Sequence, residues 1–316
     1  MVVIVSRNSS YRRALSEALV EAGGLNKDVV VLDADTPNST GTAAFARIYP
    51  RRFVNVGISE QDLVTTAAGL AIVGKVAVAT AFAMFLMRAW EQIRNTIARD
   101  HLNVKLIGTH AGLQDFMDGA SHQCFEDIAL MRVLPGFTVL APADTVATKA
   151  TILDVVLNHP GPTYIRLGRD NAPMIYDDGE EFPIGGSKVL EDAGDIVIFS
   201  YGPMLGVSRE VAKELRHQGI HAGLVDVYSI KPVDSATIVK QAAKANLIVT
   251  IEDHRVIGGV GSVVAEILTE TATPRRVLKV GIGERFGASA RSYGQLLEYM
   301  GLTPRRISSL IVGEVG

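Results

Sequence analysis

Only one cysteine, Cys124, occurs among the 316 residues. An internal disulfide framework is therefore impossible, and a reducing compartment is implied. An excess of either charge is also missing: 31 Lys and Arg stand against 34 Asp and Glu, a net charge of -3. That balance leaves no electrostatic footprint for nucleic acid or an anionic membrane. Long apolar runs are absent. The most apolar stretch, VAVATAFAMFLM at 76–87, is too short to span a bilayer, and MVVIVSRNSSYRR lacks the h-region of a signal peptide. No P-loop, GxSxG or CxxC occurs, and the seven histidines are scattered without HxxxH spacing. A metal site built by this chain alone is not expected. What remains is a cytoplasmic globular protein, 47% hydrophobic and long enough for about two domains.

What is present is an alternation. Short β-branched runs at 28–33, 53–57, 75–80, 104–110, 137–142 and 162–168 read as strands. Helical patterns at 10–23, 83–100 and 143–158 lie between them. The strands are apolar nearly throughout, which predicts a mainly parallel sheet covered on both faces. From residue 172 the periodicity fades into Gly, Pro and acidic residues, which reads as a linker over 172–192. A second alternating set over 193–316 predicts another α/β domain, so the fold class is α/β with two doubly wound domains.

Three stretches carry candidate chemistry. RFVNVGISEQDLVTTAAGLAIVG at 52–74 sets a single carboxylate, Glu60, at a strand-to-helix junction that looks set for burial. Complementing the helix dipole is the common fate of such a residue. THAGLQDFMDGASHQCFEDIALMR at 109–132 places His110, Asp118 and His122 on a loop after a strand. Open parallel sheets bind ligands beyond such strand ends. GGVGS at 258–262 opens a helix and could cradle a phosphate, although tight strand-to-helix packing explains it better.

These segments carry a resemblance. RFVNVGISEQDLVTTAAGLA, TAFAMFLMRAWEQIR, THAGLQDFMDGASHQCFEDIALMRVLPGFTVLAPAD and YIRLGRDN resemble the pyrimidine-binding domain of transketolases, in the same order and at similar spacing. The remainder, with IEDHRVIGGVGSVVAEIL, is similar to the transketolase C-terminal domain, so the likeness covers nearly the whole chain. It implies a pyrimidine-binding domain over 1–171 and the C-terminal domain over 193–316. The GDG-type diphosphate-binding domain of full-length transketolases has no counterpart here. The chain therefore resembles the C-terminal subunit of a split transketolase that works with an N-terminal partner as α2β2. Thiamine diphosphate is the implied cofactor, with Mg2+ or Ca2+ held by the partner subunit. The implied reaction is glycolaldehyde transfer between sugar phosphates.

The resemblance also implies roles for individual residues. The Glu matching Glu60 hydrogen-bonds N1′ of the cofactor's aminopyrimidine, and Phe82 and Phe85 match its stacking partners. Asp35 matches an acid near the thiazolium. Arg88 departs from the Tyr of ordinary transketolases and is closer to deoxyxylulose-phosphate synthases; a contact with the ring edge or a neighbouring acid is expected. His110 and His122 match imidazoles that hydrogen-bond the ketose oxygens and move protons, and Asp118 matches a carboxylate that reads a substrate hydroxyl. Arg12, Ser39 and Arg169 match a distal phosphate clamp, work suited to a planar guanidinium. LQDFMD at 113–118 departs from the family's GLGED-type loop, while the count from His110 to Asp118 is kept. Three alternatives share parts of this pattern: a β subunit of a 2-oxo-acid dehydrogenase, a deoxyxylulose-phosphate-synthase-like enzyme, and a non-catalytic regulatory subunit of the same fold.

Overall fold

Runs of Val, Ile and Ala with no polar face can satisfy their backbones only inside a sheet covered on both sides. That is how they fold here. The computed structural model describes residues 10–169, 172–271 and 275–315. The first half supplies β1 (Val29–Asp33), β2 (Phe53–Asn55), β3 (Val76–Phe82), β4 (Val104–Thr109), β5 (Thr138–Leu140) and β6 (Thr163–Arg166). All but β2 are buried along their whole length. The second half supplies β7 (Lys188–Glu191), β8 (Ile196–Ser200), β9 (Ala222–Asp226), β10 (Ser229–Lys231), β11 (Leu247–Arg255) and β12 (Arg276–Ile282). The residues read for a signal peptide, up to residue 9, and Asp170 and Asn171 of YIRLGRDN lie outside the described residues.

Two sheets result. The first runs β10-β5-β6-β4-β3-β1-β2 and the second β12-β11-β8-β9-β7. Every pairing is parallel except β10 on β5 and β7 on β9. Because β1 pairs with β2 on one side and β3 on the other, the strand order reverses there. A crevice opens at such a switch point, beyond the carboxyl ends of the strands.

Three expectations need correcting. The segment read as a linker contains β7, an antiparallel edge strand of only four residues, too short for an alternating pattern to register. The helix expected over 83–100 is broken into Ala83–Leu86, a 3-10 turn at Met87–Ala89, Trp90–Gln92 and a π-helical stretch at Ile93–Ala98. Such changes of winding re-aim side chains and recur beside functional sites. Trp90 fastens the segment by donating Nε1–H to the Leu130 carbonyl at 2.9 Å. Third, β10 belongs to the sequence of the second half yet completes the first sheet.

The two halves share buried chemistry. Arg166, fully buried at the end of β6, donates to Asp127 at 3.0 and 3.2 Å and to Asp253 of β11 at 2.8 Å. Tyr164 adds a hydroxyl hydrogen to Asp127 at 2.7 Å. Pairing and hydrogen bonds on several sides compensate these buried groups for the loss of water. Among the described residues no helix is long and apolar enough to cross a membrane.

Candidate active site

The glycine-rich turn GGVGS is already occupied. Glu252 accepts from the backbone N–H of Val260 at 2.9 Å and of Gly261 at 3.0 Å, so the first turn of Val260–Glu270 holds the protein's own carboxylate. A Cβ at Gly259 would lie 1.9 Å from Glu252 Oε2. The glycine serves close packing here, and the phosphate alternative finds no room.

The opposite holds at the first sheet. β1 leads into Asp35 and Ser39, β2 into Glu60, β3 ends on Phe82, β4 delivers His110 and β6 delivers Arg169. Five parallel strands thus deliver sequence-predicted residues to one edge of one sheet.

Glu60 is the first residue of the helix Glu60–Ile72 and is 6% exposed. Its neighbour Ser59 offers no side-chain cap, and no hydrogen bond reaches the Glu60 carboxylate among the described residues. The residue is buried, yet its carboxylate oxygens are not among the sealed-off polar atoms, so they remain open to a ligand.

The aromatic residues form one group with both histidines. Phe82 and Phe85 stack with centroids 5.4 Å apart and planes 4° from parallel. His110 stacks on the other partner of the pair, Phe82, at 3.7 Å and 11°. His122 meets Phe85 edge-on at 5.0 Å. A wall of this kind suits a flat heteroaromatic ring.

His110 is 4% exposed and sits in the left-handed region at φ 58°, a conformation that turns the chain sharply after β4. Burial, and then the Arg169 charge, lower its pKa to about 3, with Arg12 and His122 pushing the same way and Asp118 opposing. The ring is neutral at neutral pH. Thr109 Oγ1 spends its hydrogen on the Ala81 carbonyl at 3.3 Å, so it accepts from His110 Nδ1 at 3.0 Å. Nε2 is then left as a bare acceptor. His122 Nδ1 lies 2.9 Å from Ser121 Oγ.

Arg169 is drawn between two acids. Its Nη1 donates to Asp115 at 2.8 Å and to Asp118 at 3.0 Å, and its backbone N–H donates to Gln114 Oε1 at 2.9 Å. Burial and the nearby Asp118 push the Asp115 carboxyl up to about 7, against the pull of Arg169. Asp118 is held below the ordinary carboxylate range, chiefly by its hydrogen bond with Asp115. Two acids this close share one proton.

The remaining candidates are looser. Asp35, exposed and at φ 67°, is paired with Asn55: its N–H donates to Asn55 Oδ1 and its carboxylate accepts from Nδ2, both at 3.0 Å. Ser39 is half-buried on the short helix Pro37–Thr40, and Arg12 is exposed on Tyr11–Leu25, its backbone and Cγ packed against Gly41. Arg88 is exposed on the 3-10 turn and pairs with no acid among the described residues, which leaves the ring edge as its other expected contact. No cluster of three or more His, Cys, Asp or Glu able to hold a metal occurs among the described residues.

Sequence reasoning passed over Asp33 and Asp115. Asp33 is fully buried at the end of β1 and accepts from Thr36 N at 2.7 Å, Thr40 Oγ1 at 2.7 Å and Thr42 Oγ1 at 2.8 Å, fixing the loop that carries Asp35 and Ser39. A charged residue closing an apolar strand and followed by three threonines was the available signal. For Asp115 the signal was an acid inside a loop otherwise made bulkier and more apolar.

Comparison with known proteins fits this arrangement. Residues 7–174 match the family described as transketolase, pyrimidine binding domain, and residues 185–307 match transketolase, C-terminal domain. The chain is 40% identical over 318 residues to a Methanocaldococcus jannaschii protein described as a transketolase C-terminal section, covering 100% of this chain and 99% of that one. It is 35% identical to a 6-deoxy-6-sulfo-D-fructose transketolase subunit of Clostridium sp. (strain MSTE9), covering 92% and 90%. A split-gene transketolase solved as an inactive β4 tetramer superposes with a TM-score of 0.87 at 45% identity, covering 95% and 96%. The transketolase of Campylobacter jejuni shares the fold at 20% identity, with a TM-score of 0.81 over 98% of this chain and 47% of that one. Two domain matches that together span most of the sequence, and relatives covered nearly end to end, place this chain in the transketolase family, as a C-terminal section made of its pyrimidine-binding and C-terminal domains.

Proposed function

We propose that this chain is the catalytic C-terminal subunit of a two-chain, thiamine-diphosphate-dependent transketolase that moves a two-carbon glycolaldehyde unit from a ketose to an aldose. The observation that carries this is Glu60, buried at a helix start, without a hydrogen-bond partner among the described residues, on the same sheet edge as the Phe82–Phe85–His110 stack. A carboxylate with no partner of its own, on the sheet edge that also carries an aromatic wall, fits an aminopyrimidine, which offers a ring nitrogen to one and a flat face to the other.

When bound, thiamine diphosphate supplies the electron sink for breaking and remaking a carbon–carbon bond next to a carbonyl. The chain's own residues do the rest. Glu60 holds a proton at the pyrimidine nitrogen, and Phe82 and Phe85 keep water from that ring. Asp35 stands beside the cofactor. Neutral His110 accepts from a substrate hydroxyl through Nε2, which draws on the bare acceptor identified above. His122 takes the second hydroxyl proton and Asp118 reads a further hydroxyl. Arg12, Ser39 and Arg169 line the far end of the sugar. The diphosphate and its metal fall to an N-terminal partner, in an α2β2 assembly, and this pairing is located in the cytoplasm.

The test is reconstitution. The chain mixed with its N-terminal section should form a complex and gain thiamine-dependent turnover of a ketose or of hydroxypyruvate, while the chain by itself should have none. Robust turnover by the single chain would refute the split-enzyme reading. Turnover dependent on a lipoyl acceptor would replace it with the dehydrogenase alternative.

A further inference from the structure

Asp115 is a costly residue where it stands. Its side chain is fully buried, and its Oδ2 meets no hydrogen-bond donor among the described residues. A buried acid with an unsatisfied oxygen lowers stability, and such departures from good packing collect at functional sites. Since a ligand cannot reach a fully buried carboxyl directly, whatever Asp115 does passes through what it touches. That is Arg169, 23% exposed at the site, whose Nη1 it shares with the half-exposed Asp118.

The surroundings hold the loop to this task. Asp115's own carbonyl accepts from Gln123 Nε2 at 3.0 Å, and the Phe116 carbonyl accepts from Ala290 N at 2.7 Å. Gln123 Nε2 also donates to the Ala288 carbonyl at 3.0 Å, so the second half of the chain fastens both sides of Asp115. These bonds fix the backbone from which the Asp115 side chain meets the guanidinium.

We propose that Asp115 is a specificity-determining residue: by occupying Arg169 together with Asp118, it makes the distal end of the pocket favour a ketose ending in uncharged hydroxyl groups over one ending in a terminal phosphate. This rests on the two-carbon-transfer reading above and departs from the sugar phosphates that the family resemblance implies. A phosphate drawn to this guanidinium must come alongside two carboxyl groups already bonded to it at 2.8 and 3.0 Å. Above about pH 7, where both are ionised, like charges so placed are a recognised means of rejecting a ligand. A hydroxyl carries no such penalty and finds an acceptor in the half-exposed Asp118.

Asp115 gives up its proton at about 7, so the test is run at about pH 8, where the isosteric change Asp115→Asn keeps an acceptor for Arg169 and removes a charge. In the complex with its N-terminal section, wild type should prefer D-xylulose to D-xylulose 5-phosphate in kcat/KM. Asp115→Asn should raise kcat/KM for the phosphorylated sugar about tenfold to hundredfold, chiefly through KM, as expected for one charge-assisted contact. Hydroxypyruvate, too short to reach Arg169, should be turned over equally by both. Asp115→Leu, which fills the same buried space, should act in the same direction and guards against a folding defect in one variant. Wild-type preference for the phosphorylated sugar, or equal changes on all three donors, would overturn the proposal. Its fate is separable from that of the reaction: absence of any thiamine-dependent turnover, hydroxypyruvate included, would sink two-carbon transfer. Titrating the intact chain with D-xylulose 5-phosphate by NMR would still decide whether Asp115→Asn binds it at least tenfold more tightly than wild type, and unchanged affinity would reject the role of Asp115.

Discussion

Asp253 stands where a side chain on Gly112 would have to go: its Oδ2 lies 1.9 Å from the position of a Cβ there, and Arg166 Nη2 lies 2.9 Å from it. Gly112 also adopts φ +67°, so the turn after His110 is shaped by an acid from the opposite sheet. The same carboxylate accepts from Leu113 N at 3.3 Å and from Arg166 at 2.8 Å. The second half of the chain thereby sets where the loop to Asp118 begins.

Replacing Gly112 with Ala should therefore be costly twice over. The left-handed backbone alone costs on the order of 1–3 kcal/mol, and the methyl group must also displace the Asp253 carboxylate from Arg166. Urea unfolding should show the loss, and hydrogen exchange should quicken at the amides of 113–118. A variant as stable as wild type with unchanged exchange would mean that the loop is held by its other contacts.

The Asp115 carboxyl gives stability a recognisable pH dependence. Unfolded, it titrates near 3.8, while in the folded chain it titrates at about 7. Between those values the folded state keeps a proton that the unfolded state has lost. Its contribution to stability is full below pH 4 and fades as pH rises towards 7. Asp115→Asn should remove this slope, so the variant should gain on wild type steadily between pH 4 and 7 in denaturant titrations. Taking the difference cancels other raised acids such as Glu252 and Asp226, which titrate at about 8. Parallel curves across that range would contradict the assignment.

For His110 the sign is reversed. Its folded pKa is about 3 against 6.5 unfolded, so the unfolded chain takes up the proton first as pH falls. The stability this ring contributes is complete above 6.5 and is lost towards 3. In 15N NMR its Nδ1 should carry the proton, with Nε2 unprotonated, throughout pH 5–8. Ring signals that titrate near 6.5 would show the imidazole to be solvated and unfit as a fixed acceptor.

Glu60→Gln preserves shape and removes the ionisable group. The complex with the N-terminal section should still assemble and bind thiamine diphosphate, while exchange of the cofactor's C2 hydrogen should fall by about 10²–10⁴, the range for a lost acid–base partner. Exchange at the wild-type rate would reduce Glu60 to a charge at a helix terminus.

Much of this site was legible because it lies next to regular structure. Glu60 follows a strand and begins a helix, and His110 ends a strand, so alternation alone brings both to the sheet edge. Phe82 and Phe85 lay three residues apart, Phe82 just before the helix expected over 83–100 and Phe85 inside it. Their stacking instead comes from the strand end at Phe82 and the short turn after it, which periodicity does not encode. Asp115, Asp253 and Arg166 were out of reach for another reason. Residues up to 140 positions apart meet there, and nothing local to any of them marks the encounter. The GGVGS turn was ambiguous in sequence because Glu252, eight residues before Val260, supplies the accepting carboxyl group from within the chain.

The antiparallel β10 binds the architecture in a further way. Its Ser229 and Lys231 register against Leu140 and Val139 of β5, and Lys231 Nζ donates to the Arg132 carbonyl at 2.9 Å and also to that of Leu134. A three-residue ribbon from the second half is thus the last strand of the first half's sheet. Severed between the two family segments, the N-terminal piece would carry a bare β5 edge, open to pairing with a neighbouring molecule. The two halves are consequently interdependent: a break between them would leave the first sheet without its edge strand.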